Sequence, residues 1–357
     1  MYLEGVGFDD RFARDFESLK FEGVVPGRVI WQSAYSYRVQ CEDGEIAAEL
    51  SGKLKAGDLP AVGDWVAVRP AAVDEMGTIL AILPRKSAFS RNTASKGVNE
   101  QVVAANIDEV LIVTDLDRDF NLRRIERYIT LVYNSGASPV VVLNKTDLAT
   151  DVEAVFAQTE AVSPGVPIFA VSAEKNQGIE QLKNHIGQGK TVAFLGSSGV
   201  GKSTIINCLL GEDRMEVGEV READGKGRHT TTHRELVRLP GGGAVIDTPG
   251  MREIQVWGDE EGLVEAFPEI EALTAACRFR DCRHDSEKGC AVLEALDSGR
   301  LDKGRFESYM KLRGEFESLE VRKSKNARLE ERREGKRFAK MVREVKRHNP
   351  KRKNRDS

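Results

Sequence analysis

No run of apolar residues in this chain reaches the roughly 18 that a helix needs to span a bilayer, which excludes an integral helical membrane protein. Cysteine is scarce: there are five, an odd number, and three of them lie close together. That usage argues against a disulfide framework and for a metal cluster in a reducing, cytoplasmic compartment. The first 19 residues hold Asp9, Asp10, Asp15 and Glu17 and no apolar centre, so no secretory leader is expected there. No internal repeat is visible. Acids nearly vanish at the far end, where beyond Val345 only Asp356 stands against Lys346, Arg347, Lys351, Arg352, Lys353 and Arg355.

What is present suits a multidomain globular chain. The 357 residues leave room for two or three cores, and 40% hydrophobic with 31% charged residues fits a soluble protein. The overall charge of −4 conceals an asymmetry. Residues 321–357 carry 16 lysines and arginines against five acids, a net +11, which leaves −15 on the rest. A basic tail on an acidic body suggests an arm for nucleic acid; a solvated charged helix would instead intersperse its acids throughout. The last dozen residues, with Pro350 and dense charge, read as disordered.

After an N-terminal extension over 1–20, residues 21–84 read as five short strands: 24–31, 35–41, 45–50, 65–68 and 78–83. Turn signals such as Asp43-Gly44 and Gly63-Asp64 divide them. That density suggests a small closed barrel of OB-fold-like size. Tyr35, Tyr37, Arg38, Lys53 and Lys55 either form a base-stacking face or divide into core aromatics and solubilising lysines. Residues 85–99, rich in Ser, Arg and Lys, read as a linker. From 100 to 262 the pattern changes. Val110–Val113 and Val140–Leu143 are continuous apolar runs, as buried parallel strands require, with a helical period from Leu122 to Tyr133 between them. Residues 168–171, 192–195 and 244–246 are further strands of an α/β doubly wound sheet. Residues 263–320 bring a Cys/His cluster and then a helix with Phe306, Tyr309, Phe316 and Leu319 mostly on one face. A basic helical or disordered tail, 321–357, follows.

Gly196-Ser-Ser-Gly199-Val-Gly201-Lys202-Ser203 matches the phosphate-binding pattern G-x-x-x-x-G-K-[ST] and follows the strand at 192–195. The glycines allow a tight backbone whose N–H groups face phosphate oxygens, and the following helix adds its positive end. The expected cradle is Gly196, Ser197, Ser198, Gly199, Val200, Gly201, Lys202, Ser203 and Thr204. Lys202 would neutralise the β- and γ-phosphates and Ser203 would ligate Mg²⁺. Asp247-Thr-Pro-Gly250 closes the strand at 244–246. There Asp247 could hold Mg²⁺ through water and the Gly250 N–H could bond the γ-phosphate. Thr230-Thr-Thr232 lies between these motifs and offers a second Mg²⁺ ligand, Thr231 or Thr232.

Asn144-Lys145-Thr146-Asp147 follows the strand at 140–143 and looks like a guanine reader. Asp147 would accept from guanine N1–H and the 2-amino group, a pair that adenine lacks. Asn144 would bond the base edge and tie the loop down, and the Lys145 stem would cover the ring. Ser172 and Ala173, after the next strand, resemble the loop that supports guanine O6. The order is unusual: base reader, phosphate loop, then Asp247-Thr-Pro-Gly250. It reads as a GTPase domain reopened elsewhere, a circular permutation. Met251 stands where many GTPases carry a water-positioning residue. His229 is therefore the candidate to orient water; a loop histidine or a partner contact is the alternative.

Cys277, Cys282, His284 and Cys290 are spaced C-x₄-C-x-H-x₅-C. Three thiolates and an imidazole complete a tetrahedral Zn²⁺ shell with no open position, so one structural zinc per chain is expected, and iron suits the set less well. Cys41 and Cys208 remain as plain buried residues.

With the motif order and the Cys₃His cluster, the sequence resembles the RsgA (YjeQ) family of small-ribosomal-subunit-dependent GTPases. Asn106-Ile-Asp108, Asn121-Leu-Arg-Arg-Ile125, Val141 to Lys145, Gly196 to Thr204, His229 to Thr232 and Asp247 to Glu253 all look like that family. The resemblance implies an OB-fold, a permuted GTPase using GTP and Mg²⁺, and a zinc domain. It implies a late maturation factor of the small ribosomal subunit that contacts rRNA, hydrolyses GTP when stimulated by the subunit and is released by hydrolysis. No membrane is expected, and the chain should be a monomer. Two alternatives stand beside it: a GTPase of non-ribosomal work, and an rRNA-binding protein whose nucleotide is only a conformational latch.

Overall fold

The computed structural model describes residues 3–33, 36–52, 54, 59–71, 75–92, 100–116, 119–215, 234–247, 261–321, 324 and 332. Helix α1 (Asp10–Ser18) starts where the Asp9 carboxylate accepts from the N–H groups of Arg11 and Phe12. Phe8 and Phe12 pack on the buried indole of Trp65 with centroids 4.9 and 5.7 Å away. With Leu3, Val6 and Leu83 they close one end of the first domain.

That domain is a five-stranded barrel: β1 (Val25–Gln32), β2 (Tyr37–Cys41), β3 (Gly44–Leu50), β4 (Trp65–Arg69) and β5 (Gly77–Ile82). The strand order β1-β2-β3-β5-β4, closed by β4 on β1, is the small closed barrel expected. Val29, Val39, Ala48, Val66, Val68 and Ile79 fill it. Tyr37 lies in that core, 3% exposed, so it offers no face to a nucleic-acid base. Arg38 is exposed, stacked 5.2 Å over Trp31 and 3.5 Å from Glu45. Tyr35, Lys53 and Lys55 lie outside the described residues.

Strands β6 (Ala88–Asn92) and β7 (Glu100–Ala105) pair as an antiparallel ladder, so part of the expected linker carries a strand. The α/β layer follows as β8 (Glu109–Asp115), α2 (Leu122–Asn134), β9 (Ser138–Asn144), α3 (Val152–Val162), β10 (Ile168–Ala170), α4 (Ile179–Ile186), β11 (Thr191–Leu195), α5 (Lys202–Leu210), β12 (Arg234–Arg238) and β13 (Ala244–Asp247). The sheet order is β10-β9-β8-β11-β13-β12, parallel except for β12. Alternation along β8 sends Val110 and Ile112 to one face and Leu111 and Val113 to the other. The second face is covered by α4 and α5 through Leu182, Ile186, Ile205 and Leu209. The first is covered by α2 and, beyond it, by the C-terminal helices.

Those helices are α6 (Glu261–Ala266), α7 (Pro268–Ala275), α8 (Ala291–Asp297) and a helix over 303–321. Phe267, Ile270, Tyr309, Leu312 and Phe316 share one apolar cluster with Ile125 and Ile129 of α2. The barrel also joins the sheet. Strand β1 pairs with β4 through Arg28 and, past a bulge between Val29 and Trp31, stays on β2 with one edge while the other pairs with β12, Trp31 opposite Glu235 and Gln32 opposite Arg234. Glu235 in turn lies opposite Asp247, so three strands from two domains meet in one register.

A buried arginine fastens the C-terminal helices. Arg305, 5% exposed, donates to Glu126 Oε1 at 3.1 Å, to the Val162 and Ala266 carbonyls at 2.9 Å each, and to Glu269. Its guanidinium lies 4.6 Å over the Phe267 ring. Arg305→Ala should destabilise the protein by about 3 kcal/mol, because Glu126 and two carbonyls lose a buried donor while Arg123 still reaches Glu126. Chemical denaturation of both proteins measures this; a loss under about 1 kcal/mol would show that the pairing merely offsets its desolvation.

Candidate nucleotide site and metal centre

Parallel β8, β9, β10, β11 and β13 deliver their carboxyl ends to one edge of the sheet, where doubly wound sheets bind ligands. The Gly196–Ser203 loop leaves β11 there. Gly201 has φ +94° and caps α5 with no side-chain bond, so no capping side chain competes with an anion at the positive end of α5. A Cβ at Gly201 would run into the Asn144 amide, and one at Gly196 into the Val113 carbonyl. Glycine is thus required by close approach as well as by φ. Val200 is fully buried and anchors the loop from below, whereas Ser198 and Gly199 are exposed. Lys202 Nζ donates to the Gly196 and Ser197 carbonyls at 2.8 and 2.5 Å, which holds its charge over the cradle. Ser197, Ser203 and Thr204 sit half-buried around it.

The Asn144–Asp147 loop is tied directly to this cradle. Asn144, 2% exposed, donates Nδ2 to the Val200 carbonyl at 2.8 Å and accepts the Ala173 N–H on Oδ1 at 3.1 Å. One side chain therefore staples the phosphate loop to both base-reading segments. This is the tie-down role expected of Asn144; both ends of its amide bond protein. Lys145 has φ +61°, and its ammonium lies 2.7 Å from Asp115 Oδ2. Thr146 N–H donates to the Val171 carbonyl at 3.2 Å. Asp147 Oδ1 accepts from the fully buried Ser172 hydroxyl at 2.6 Å, and Lys175 Nζ lies 3.8 Å from Oδ2. The Ser172 hydroxyl, more than any other cause, holds the Asp147 carboxyl below the usual carboxylate range, with Lys175 adding to it. Ser172 thus orients the acid that the sequence assigns to guanine, and Ala173 supports Asn144.

Asp115, at the end of β8 and opposite Asn144 in register, has no sequence motif and was not expected at the site. Cys208 also differs from expectation. It is half-buried, and its Sγ donates to the Ala173 carbonyl at 3.4 Å. Cys41 is buried, and burial pushes its thiol up to about 12. Asp247 closes β13 at the same edge of the sheet. The Asp247 side chain, His229, Thr231, Thr232 and Gly250 lie outside the described residues.

Between α7 and α8, the ligand atoms of Cys277, Cys282, His284 and Cys290 lie within 4.8 Å of one another. Cys277 and Cys290 Sγ are 3.8 Å apart, and His284 Nδ1 is 3.6 and 3.3 Å from them. A tetrahedral Zn²⁺ with Zn–S near 2.3 Å needs thiolates about 3.8 Å apart. Donor set and spacing are compatible with one zinc ion. His284 sits at φ +58°, a conformation its surroundings must hold. Glu287 contributes by accepting the N–H groups of Arg283, Asp285 and Ser286 at 2.9, 3.0 and 3.1 Å. Those bonds, Arg283 first, pull its carboxyl down to about 2. Cys290 ends the loop as N-cap of α8, accepting from the Leu293 N–H.

Known proteins resemble this chain in sequence and fold. The RsgA GTPase family pattern matches residues 82–257. The small ribosomal subunit biogenesis GTPase RsgA of Opitutus terrae is 49% identical over 329 residues, 88% of this chain and 90% of that protein. The protein of the same name from Syntrophotalea carbinolica is 44% identical over 94% of this chain and 95% of its own length. Among solved structures, YjeQ from Thermotoga maritima is 29% identical with a TM-score of 0.64, covering 82% of this chain and 98% of that one. YloQ, described as a circularly permuted GTPase, gives a TM-score of 0.60 over 84% of this chain and 97% of its own at 24% identity, and so bears on the fold. Nearly half the residues shared with a relative along almost all of both chains, on a barrel and a sheet whose base reader precedes its phosphate loop, place this chain in the RsgA GTPase family.

Proposed function

We propose that this protein hydrolyses GTP to GDP and phosphate while engaged with the immature small ribosomal subunit, and that hydrolysis releases it. The observation that carries the nucleotide half is the Asn144 staple, which fixes a guanine-reading loop to a phosphate loop in one rigid unit. The partner half rests on the names of the two bacterial relatives. In this reading Asp147 selects guanine, the loop N–H groups and Lys202 hold the phosphates, and Gly250 N–H bonds the γ-phosphate. Ser203 and Asp247, with Thr231 or Thr232, would hold Mg²⁺, which supplies charge neutralisation at the phosphates. His229 orients the water that adds to the γ-phosphorus as the bond to the bridging oxygen breaks. Cys277, Cys282, His284 and Cys290 would hold zinc, which supplies a cross-link for a region short of apolar residues.

Release follows from the connection between the Asp247–Gly250 motif and the C-terminal helices. Residues 251–260 lead from Gly250 to α6, whose Gly262 N–H donates to Asn134 Oδ1 of α2 at 2.7 Å. Loss of the γ-phosphate removes the bond at Gly250 and frees that connection to shift. The +11 tail adds sequence-independent affinity for rRNA phosphates. The chain acts as a monomer in the cytoplasm.

GTP turnover with and without purified small subunits, at low and high salt, tests the whole reading. Turnover should be slow alone, rise at least tenfold with subunits at low salt, and lose most of that gain at high salt as phosphate contacts weaken. His229→Ala should keep GTP affinity and lose the stimulation, because its role is confined to the transition state. Turnover indifferent to subunits would sink the ribosomal reading. A His229→Ala protein with wild-type stimulation would move the water-orienting role elsewhere.

A further inference from the structure

Asp115 raises a problem that its neighbours answer. It is 5% exposed at the end of β8, and a buried carboxylate is costly unless it is paired. Its Oδ1 accepts the Asp119 N–H at 2.8 Å, and its Oδ2 lies 2.7 Å from the Lys145 ammonium. Lys145 itself occupies the left-handed backbone region, which an ordinary residue rarely adopts, so it must be held from several sides. Asn144 is fixed before it by the staple, and Thr146 after it by the Val171 carbonyl. Asp115 fixes its side chain.

The strand order gives that third tie a direction. Along the binding edge, β9 with the base reader is followed by β8 with Asp115 and then by β11 with the phosphate loop. A lysine rooted at the end of β9 and anchored at the end of β8 draws its four-carbon stem along the line from Asp147 toward the cradle. A nucleoside joining Asp147 to the phosphate loop must lie along that same line. The Lys145 side chain is 30% exposed, and its charged end is paired with Asp115, which leaves the methylenes to meet a ring. We propose that Asp115 is a positioning residue for guanine-nucleotide recognition: its buried carboxylate anchors the Lys145 ammonium, so that the lysine stem is a preformed apolar wall of the base slot.

This rests on the guanine-nucleotide reading above and makes a demand of its own. A preformed wall raises affinity by removing the ordering of a flexible side chain from the binding step. The effect concerns the base and leaves the phosphates alone. It should therefore be equal for GDP and GTP and absent for a ligand without a base. The probes are GDP, GTP and inorganic tripolyphosphate, with the full-length protein. Asp115→Asn keeps the size and the acceptor for Asp119 and discharges the anchor. It should raise the dissociation constants of GDP and GTP together, by about tenfold, with KM rising and turnover at saturating GTP holding. Tripolyphosphate affinity should stay within twofold of wild type. Lys145→Met keeps an apolar stem and removes the ammonium. It should weaken GDP similarly, and the double variant should be no weaker than the worse single one, as two halves of one interaction require. GDP affinity unchanged in Asp115→Asn would overturn the proposal, as would tripolyphosphate affinity falling by the same factor, which would mark a general loss of structure. Wild-type protein that bound tripolyphosphate and failed to bind GDP would instead defeat the guanine reading, and this proposal with it.

Discussion

Asp147→Asn should lower GTP affinity by a factor on the order of 10⁴ and create affinity for xanthine nucleotides. The carboxylate offers two acceptors to guanine N1–H and its 2-amino group. An amide presents N–H where the 2-amino group must sit, and xanthine has a carbonyl oxygen there instead. The Ser172 bond makes the effect sharp, because it leaves the acid one orientation. It also sets the pH response. The Asp147 carboxyl is held below its ordinary value, so base recognition is present above the ordinary carboxylate range and is lost only as pH falls through the lower folded value. Ser172→Ala removes the largest cause and should shift that acid limit upward. Titrating GTP and XTP binding for the three proteins over pH is the measurement. An Asp147→Asn protein that keeps GTP and ignores XTP would remove Asp147 from base reading.

Removing the metal should undo the C-terminal region and spare the nucleotide site. With zinc bound, the four ligands close a loop between α7 and α8 that few apolar contacts could close. Binding free energies of structural zinc reach about 10–16 kcal/mol, comparable to the whole stability of a small domain. A chelator, or Cys282→Ala, should expose residues beyond Leu273 to protease and lower the melting temperature by several degrees. The damage should stop at the sheet. The C-terminal helices cover the face that carries Val110 and Ile112, while α5 and the phosphate loop belong to the opposite face with Leu111 and Val113. GDP affinity should therefore change by less than about threefold. Freshly purified protein without zinc by elemental analysis would refute the assignment, and loss of GDP binding along with zinc would show that the two faces are not independent.

Much of this architecture can be read from the chain because its signals are local. Asp43-Gly44 and Gly63-Asp64 fall at strand boundaries, so the five barrel strands are placed to within two residues. The apolar runs of β8, β9 and β11 mark central strands because both of their faces are buried. Strands β6, β7 and β12 escape detection, since Ala88–Asn92 and Arg234–Arg238 each hold only two apolar residues side by side, Glu100–Ala105 is short, and all three draw their pairing from neighbours. Tyr37 could face either way until the register was known. Arg305 is invisible among a helix's charges, because nothing local distinguishes a buried arginine from a solvated one. Asp115 belongs to the site through a neighbouring strand, 29 positions from Asn144, so no window along the sequence contains both. The nucleotide and zinc motifs are legible for the opposite reason: phosphate loops and metal loops concentrate their donors within a few residues.

The position of β11 has a consequence for how the protein is made. In the finished sheet it lies between β8 and β13, at the centre, yet it follows β8 by about 80 residues of chain. At 5–20 residues per second that interval lasts on the order of 4–16 s. Throughout it, one edge of β8 faces no partner strand while Val110–Val113 already present a fully apolar run. The base reader on β9 emerges early and the phosphate loop late. A growing chain therefore cannot hold a guanine nucleotide until the strand that fills the gap beside β8 has left the synthesising ribosome, and nucleotide occupancy becomes a certificate that β11 has been made, with β12 and β13 still to follow.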